Sequence, residues 1–345
     1  MKQYNVAVVG ASGAVGEELF RVLEEQNFPI GKLLPLASAN SAGNYIEFAG
    51  QKHRIEELTE SVFEGRGIDI AFFSAGGSIS EKYAKYAVES GAVVIDNTSH
   101  FRMVDDVPLV VPEINPEDIA LWQKTGIIAN PNCSTIQMVL ALKPLHDEFG
   151  IKRVDVSTYQ ATSGAGKKGM EELINQMKAV FNFQLEKEVE KREAFAHQIA
   201  LNVIPHIDKF MDNGYTKEEM KMVNETNKIM HTNMAVSATC VRVPVLRSHS
   251  EAITIHCEKD VDVDVARKVL NNFEDVEVMD DPANNVYPMP IISTDTDITF
   301  VGRIRKDNFD SKILHFWVVA DQVRVGAATN AVRIAKKWIE MEGKK

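Results

Sequence analysis

Cysteine is scarce in this chain. Three residues in 345, Cys133, Cys240 and Cys257, cannot build a disulfide framework, and an odd, sparse count fits a reducing compartment. No pair shows Cys-x-x-Cys spacing, so no structural metal site is expected. No apolar run approaches the roughly 20 residues that span a bilayer. Net positive charge is missing as well: 38 Lys and Arg against 49 Asp and Glu leave −11. That disfavours nucleic acid and anionic membranes as partners, while a local basic pocket could still bind phosphate. The chain starts directly with strand-like residues and shows no secretory apolar region, so a cytoplasmic location is expected.

What is present is an ordinary globular composition, 45% hydrophobic and 25% charged, in a chain long enough for two domains. In the first 130 or so residues short Val- and Ile-rich runs alternate with helices. Strands are expected at Tyr4–Val9, Lys32–Ala37, Ile68–Ser74, Ala92–Asp96, Leu109–Val111 and Gly126–Ala129, helices at Ala14–Gln26 and Ser78–Ser90, and a hairpin at Tyr45–Phe48 and Lys52–Ile55. This pattern predicts an α/β fold with a Rossmann-type doubly wound parallel sheet. Beyond a helix at Ser134–Phe149 the texture changes to long alternating runs: Lys152–Ala161, Ala235–Val243, Ala252–Glu258, Ile298–Ile304 and Ile313–Ala320. These read as a mixed or antiparallel sheet covered on one face, hence a C-terminal α+β domain. Helices are expected at Gly166–Phe181, Thr216–Met230, Asp264–Phe273 and, last, Val325–Met341.

Two local patterns carry chemistry. Gly10-Ala11-Ser12-Gly13-Ala14-Val15-Gly16 follows the first strand and opens the first helix, the context of a dinucleotide-binding loop. Glycine lets the backbone turn and approach a pyrophosphate, and the helix N-terminus supplies amide donors. The second strand ends in Ala37-Ser38-Ala39-Asn40-Ser41-Ala42-Gly43. No carboxylate stands there to hold ribose hydroxyls, which favours NADP. No arginine stands there either, so NAD remains a second choice. The other pattern is Asn130-Pro131-Asn132-Cys133-Ser134-Thr135, which sets one cysteine between a strand and a helix. Unpaired amides and the helix dipole favour the thiolate at such a position, and the thiolate is the nucleophile. Cys240 and Cys257 lie in strand-like runs and read as buried core thiols.

The chain resembles the aspartate-semialdehyde dehydrogenase family along nearly its whole length. The matching stretches are the Gly10–Gly16 loop, Val94 to Arg102, Asn130 to Thr135, Tyr159 to Gly166, Glu218-Glu219-Met220-Lys221, and Arg242 to His249. The resemblance implies reductive dephosphorylation of L-aspartyl 4-phosphate to L-aspartate 4-semialdehyde with NADPH, a step in lysine, threonine, methionine and isoleucine synthesis. It also implies an NADP-binding Rossmann domain over 1–132, rejoined by a final helix over 324–345, and a catalytic domain over 133–323 that builds a homodimer.

The same resemblance implies the site residues. Cys133 would attack the acyl carbon, with His249 as general acid and base and Gln160 orienting the acyl group. Arg242 would grip the substrate carboxylate, Glu218 its amino group, and Lys221 with Arg102 the phosphate. Cofactor contacts would come from Gly10, Ser12, Gly13, Ala14, Val15, Gly16, Ser38, Ser41, Ala42, Asn97, Ser163, Gly164 and Gln322. Taken without the resemblance, Glu218 and Lys221 three apart on a helix would read as a surface ion pair, and Arg242 as a solvated strand arginine. Asn40 stands where the family often has an arginine on the 2′-phosphate, and Thr98 and His100 replace its usual serine and alanine. The nearest rival reading is another acyl-phosphate reductase, such as the N-acetylglutamyl-phosphate enzyme. Glu218 argues against it, since an acetylated amine needs no carboxylate partner.

Overall fold

The computed structural model describes residues 2–343. It divides into two compact units, Met1–Asn132 with Ala327–Lys345, and Cys133–Gly326.

The first unit contains β1 (Tyr4–Val9), β2 (Ile30–Ala37), the hairpin β3 (Tyr45–Phe48) and β4 (Gln51–Arg54), then β5 (Glu56–Glu57), β6 (Ile70–Phe73), β7 (Val93–Asp96) and β8 (Ile127–Ala129). One six-stranded sheet runs in the order β5-β2-β1-β6-β7-β8, and all of its pairings are parallel. The residues of β6, β7 and β8 are all buried, as a parallel sheet covered on both faces requires. The chain order steps outward from β1 in both directions. Loops at the carboxyl ends of β1, β2 and β6 therefore share one edge, where such sheets bind ligands.

The final helix, Thr329–Glu342, belongs to this unit: Ala331, Val332, Ala335 and Trp338 join the core with Val6, Leu23 and Ile95. Trp338 packs edge-on against Tyr4 and Trp122, at ring separations of 6.3 and 5.6 Å. The helix starts later than the pattern predicts, because Arg324–Ala328 first makes a wide π turn. The expected strand Leu109–Val111 is a second departure. It makes only an isolated bridge, Leu109 to Ala129. Pro108 and Pro112 flank it, and proline has no N–H to donate to a ladder.

The second unit holds β9 (Ile151–Gln160), β10 (Ala235–Arg242), β11 (His249–Cys257), β12 (Val276–Val278), β13 (Thr299–Lys306) and β14 (Ile313–Ala320), in the order β10-β9-β11-β14-β13-β12. The sheet is mixed: β10 runs parallel to β9 and β12 to β13, and the other pairs are antiparallel. Strand β11 begins three residues earlier than its apolar alternation suggests, because His249, Ser250 and Glu251 are polar yet buried. Cys240 and Cys257 are buried free thiols, and burial pushes the Cys257 thiol up to about 11. Among the described residues no helix is long and apolar enough to cross a membrane.

Candidate active site

Strand register assembles the catalytic side. In the parallel pair β9–β10, Gln160 faces Arg242, so both lie at the carboxyl ends of neighbouring strands. Antiparallel β11 runs back beside β9 with Ser250 opposite Tyr159, which brings its first residue, His249, to the same end of the sheet. Three residues spread over 90 positions of sequence thus meet at one sheet edge.

Their contacts converge on the Ala161 peptide group. His249, wholly buried, accepts the Ala161 N–H at Nδ1 over 3.0 Å. Arg242 donates from Nη1 to the Ala161 carbonyl at 2.6 Å. Burial pushes His249 down to about 3, with the Arg242 cation adding to the effect and Glu218 opposing it. The imidazole is therefore neutral at physiological pH. Burial also lowers the Arg242 pKa, and Glu218 and Cys133 pull against that. The arginine is buried, with its guanidinium 5.8 Å from the Phe195 ring centre, and is no solvated strand residue.

Glu218 sits in the helix Lys217–Met230, whose start is fixed by a capping box. Thr216 Oγ1 accepts the Glu219 N–H, and Glu219 Oε2 accepts the Thr216 N–H. Glu218 is buried; its Oε1 accepts Gln160 Nε2 at 3.1 Å and its Oε2 accepts Lys221 Nζ at 3.0 Å. Lys221 also reaches Asp208 at 2.9 Å. Burial opposes the ammonium, but the two carboxylates outweigh it and raise its pKa. The Glu218–Lys221 pair is thus half of a network that runs from buried Gln160 and Glu218 through half-buried Lys221 to Asp208 at the surface.

Cys133 is the first residue of the helix Cys133–Phe149 and is partly exposed. One turn on, Gln137 Nε2 reaches the His249 carbonyl at 3.4 Å, tying the cysteine helix to the histidine strand. Gly326, in the π turn, lies against the thiol residue. A Cβ there would stand 2.5 Å from Cys133 Cβ, so only glycine fits. No local signal marks this glycine, since Gly326 stands some 190 positions from Cys133 with no motif around it. Gln322 bridges two segments, accepting the Ser248 N–H at 2.7 Å and donating to Ser163 Oγ. Ser163 and Gly164 follow β9, and a Cβ on Gly164 would come within 2.7 Å of Arg242 Nη1.

In the first unit, a cleft of about 580 Å³ is lined by Gly10, Ser12, Gly13, Ala37, Ser38, Ala39, Glu57, Leu58, Ser74 and Tyr83, among others. Gly10 has φ +95°, and a Cβ on it would meet Ser74 Oγ at 2.9 Å, so the loop needs glycine for both conformation and space. Ala14, Val15 and Gly16 form the first turn of the helix Ala14–Glu25, and Gly16 packs on the Gly10 carbonyl too closely for any side chain. Ser41, next to Ala42 in the turn after β2, hydrogen-bonds Ser12 at 3.2 Å. Glu57 was not anticipated. It arrives from β5 rather than from the end of β2, where a ribose-binding carboxylate is sought. Asn97 follows β7 with buried side-chain oxygen and nitrogen that find no partner, so a ligand could complete them. Arg102 is buried and bonds the Asn130 and Asn97 carbonyls at 2.9 and 2.8 Å. A cleft of glycine backbones and small hydroxyls at a helix N-terminus fits a dinucleotide.

The family profile described as "Semialdehyde dehydrogenase, NAD binding domain" matches residues 5–122, and "Semialdehyde dehydrogenase, dimerisation domain" matches 142–325. The aspartate-semialdehyde dehydrogenase of Campylobacter jejuni is 66% identical over 343 residues, covering 99% of both chains. The Aquifex aeolicus enzyme of the same name is 56% identical over 339 residues, covering 98% of each. The chain belongs to the aspartate-semialdehyde dehydrogenase family. Among solved structures, Vibrio cholerae aspartate semialdehyde dehydrogenase II in complex with ASA superposes with TM-score 0.93 at 46% identity over 99% of each chain. The Candida albicans aspartate semialdehyde dehydrogenase with NADP superposes at 0.74 and 26% identity, covering 98% of this chain and 99% of that one.

For an aspartate-semialdehyde dehydrogenase the division is apt. The first unit carries an NAD(P)-binding fold, and the second buries Gln160, Glu218, Arg242 and His249 together. The parallel Rossmann-type sheet, the mixed C-terminal sheet and the oxidoreductase function expected from the sequence all hold. Cys133, His249, Gln160, Arg242, Glu218, Lys221, Ser163, Gly164 and Gln322 fall in the second unit. The remaining expected residues, Arg102 included, fall in the first.

Proposed function

We propose that this chain converts L-aspartyl 4-phosphate to L-aspartate 4-semialdehyde through a thioester on Cys133, as a cytoplasmic homodimer using NADP in preference to NAD. The observation that carries this reading is the meeting of Gln160, Arg242, His249 and Glu218 at one sheet edge, tied by Gln137 to the helix that starts with Cys133.

Cys133 supplies the sulfur that attacks the acyl carbon and expels phosphate. Arg242 offers a planar cation to the substrate α-carboxylate, matching it bidentately, and Glu218 offers its carboxylate to the α-ammonium. That second contact separates an aspartyl substrate from an N-acetylated one. Lys221 and Arg102 supply cations for the phosphate, which makes anion binding understandable in a chain of net charge −11. Gln160, held by Thr158 at 3.0 Å and by Glu218, has a fixed amide with which to orient the acyl group. The bound nicotinamide supplies hydride to the thioester, or accepts it in reverse. In the cleft, Gly10, Gly13 and the helix start would hold the pyrophosphate, and Ser12, Ser38 and Ser41 the ribose end. Ser38 and Ser41 favour a 2′-phosphate, while Glu57 would serve an unphosphorylated ribose, which accounts for NAD as second choice.

The test is absorbance at 340 nm with aspartate semialdehyde, phosphate and each nicotinamide in turn. Phosphate-dependent reduction, faster with NADP, is the expected result. No signal with either cofactor would refute the reading, and a signal independent of phosphate would refute the acyl-phosphate chemistry.

A further inference from the structure

We propose that Phe195 is a positioning residue for the substrate carboxylate: clamped in place by Glu172 and Gln176, its ring steadies the Arg242 guanidinium and leaves Nε and Nη2 open to the substrate. This role rests on the reaction proposed above and adds a residue to its carboxylate site.

Arg242 Nη1 is committed to the Ala161 carbonyl at 2.6 Å. Among the described residues Nε and Nη2 have no hydrogen-bond partner. These two nitrogens share one edge of the planar fork, the edge that meets both oxygens of a carboxylate. A single hydrogen bond fixes one corner of the fork and lets the plane pivot about it. The second support is Phe195. Arg242 Cζ stands over its ring, 5.8 Å from the centre, within the roughly 6 Å over which a ring face attracts a cation. Both groups are removed from bulk water, the arginine buried and the phenylalanine half-buried, which strengthens that attraction.

Phe195 lies in neither helix nor strand. It sits in an irregular stretch after the short helix Leu185–Val189. Such a stretch holds a side chain in place only where its own backbone is tied down. Glu172 and Gln176, one turn apart on the helix Gly166–Phe181, tie it on both sides of the ring. Glu172 Oε2 accepts the N–H groups of Glu193 and Ala194 at 2.9 and 2.7 Å. Buried Gln176 accepts those of Ile199 and Ala200 at Oε1, each at 3.0 Å, and its Nε2 donates to Glu172 Oε1 at 3.2 Å. The chain then pairs Ile204 with the backbone of Arg242 itself, through bonds of 2.8 and 2.9 Å. Backbone and ring of this strap therefore both meet the same arginine. Gly169 on the clamping helix makes room for the ring, since a Cβ there would stand 3.1 Å from Phe195 Cζ. Phe195 also packs on a small apolar cluster that includes Leu173 and Ile204. An aliphatic side chain would serve that cluster equally well, but only a ring offers a negative face to the guanidinium.

The experiment is steady-state kinetics of phosphate-dependent oxidation of aspartate semialdehyde by the full-length protein. Phe195→Leu keeps apolar bulk against the cluster and removes the ring face. Its KM for aspartate semialdehyde should rise about 3–30-fold, the range of a cation–ring contact from exposed to desolvated. Its kcat should change by a smaller factor, and its KM for phosphate should stay within about twofold, because loss of carboxylate binding is felt at one substrate only. Glu172→Ala frees the Glu193–Ala194 backbone with Phe195 intact, and should raise the KM for aspartate semialdehyde in the same direction. An unchanged KM for aspartate semialdehyde in either variant would overturn this role, as would KM values for phosphate and aspartate semialdehyde that rise together. Those outcomes leave the reaction standing as long as the unaltered protein turns over. An unaltered protein with no phosphate-dependent turnover would sink the proposed reaction and the role of Phe195 with it.

Discussion

The two sheets carry chemistry in different ways. In the N-terminal unit the central strands are buried and, apart from Asp96 at the end of β7, apolar, and the cleft is lined from the loops beyond them by glycine backbones and small hydroxyls. In the C-terminal unit the strands themselves end in the polar groups: Gln160 closes β9, Arg242 closes β10 and His249 opens β11. A backbone cradle has no net charge and needs only space and the right φ. A buried guanidinium or carboxylate must instead be matched by a partner, because an unpaired charge in the interior is costly. The second unit is accordingly a chain of mutual contacts from Asp208 through Lys221, Glu218 and Gln160.

If the division of labour is real, changes in one unit should leave the other's task intact. Cys133→Ala gives the sharpest test. Turnover should fall by something on the order of 10⁶-fold, as for loss of a covalent nucleophile, while NADPH binding, followed by fluorescence, stays unchanged. Equal loss of both would erase the distinction between the units. Arg242→Lys comes next. It keeps the charge but loses the planar fork that meets both the substrate and the Ala161 carbonyl, so KM for aspartate semialdehyde should rise about 10–100-fold. An unaltered KM would move carboxylate recognition elsewhere.

Glu251 probes what buried charge costs the second unit. It is wholly buried on β11 and neither oxygen has a well-formed partner. Burial drives its pKa well up, only partly offset by Gln137. The folded protein therefore holds a proton that the unfolded chain releases above about pH 4.3. Stability should fall as pH rises from there towards the folded-state pKa, by at most about 1.4 kcal/mol per pH unit from this group. Glu251→Gln imitates the protonated acid and should flatten that slope in denaturant titrations at pH 5–8. An identical slope would show the carboxyl to be ionised or solvated. The smallest effect belongs to the first unit: Asn40→Arg should shift the NADP to NAD ratio of kcat/KM severalfold towards NADP. No shift would mean that other groups bind the 2′-phosphate.

Much of the fold was legible because local signals and tertiary structure agree. Short Val- and Ile-rich runs between helices can only make a buried parallel sheet, and the Gly10–Gly16 loop sits where its spacing put it. Each miss has its own physical cause. The start of β11 is polar, so its burial could not be seen from alternation. Leu109–Val111 is apolar but proline-flanked, so it lacks the donors of a strand. Glu57 reaches the cleft from a two-residue strand too short for any pattern.

By itself the sequence determined where the glycines, the helix-initial cysteine and the strands fall, since these follow from spacing, periodicity and backbone propensity. Only the tertiary structure decided that His249 Nδ1 meets the Ala161 N–H, that Gly326 must lack a side chain beside Cys133, and that Glu218 and Arg242 are buried and paired. Those are matters of register between distant segments. A shift of one residue in β9 against β11 would turn every side chain of that strand to the other face, with no change in any local pattern.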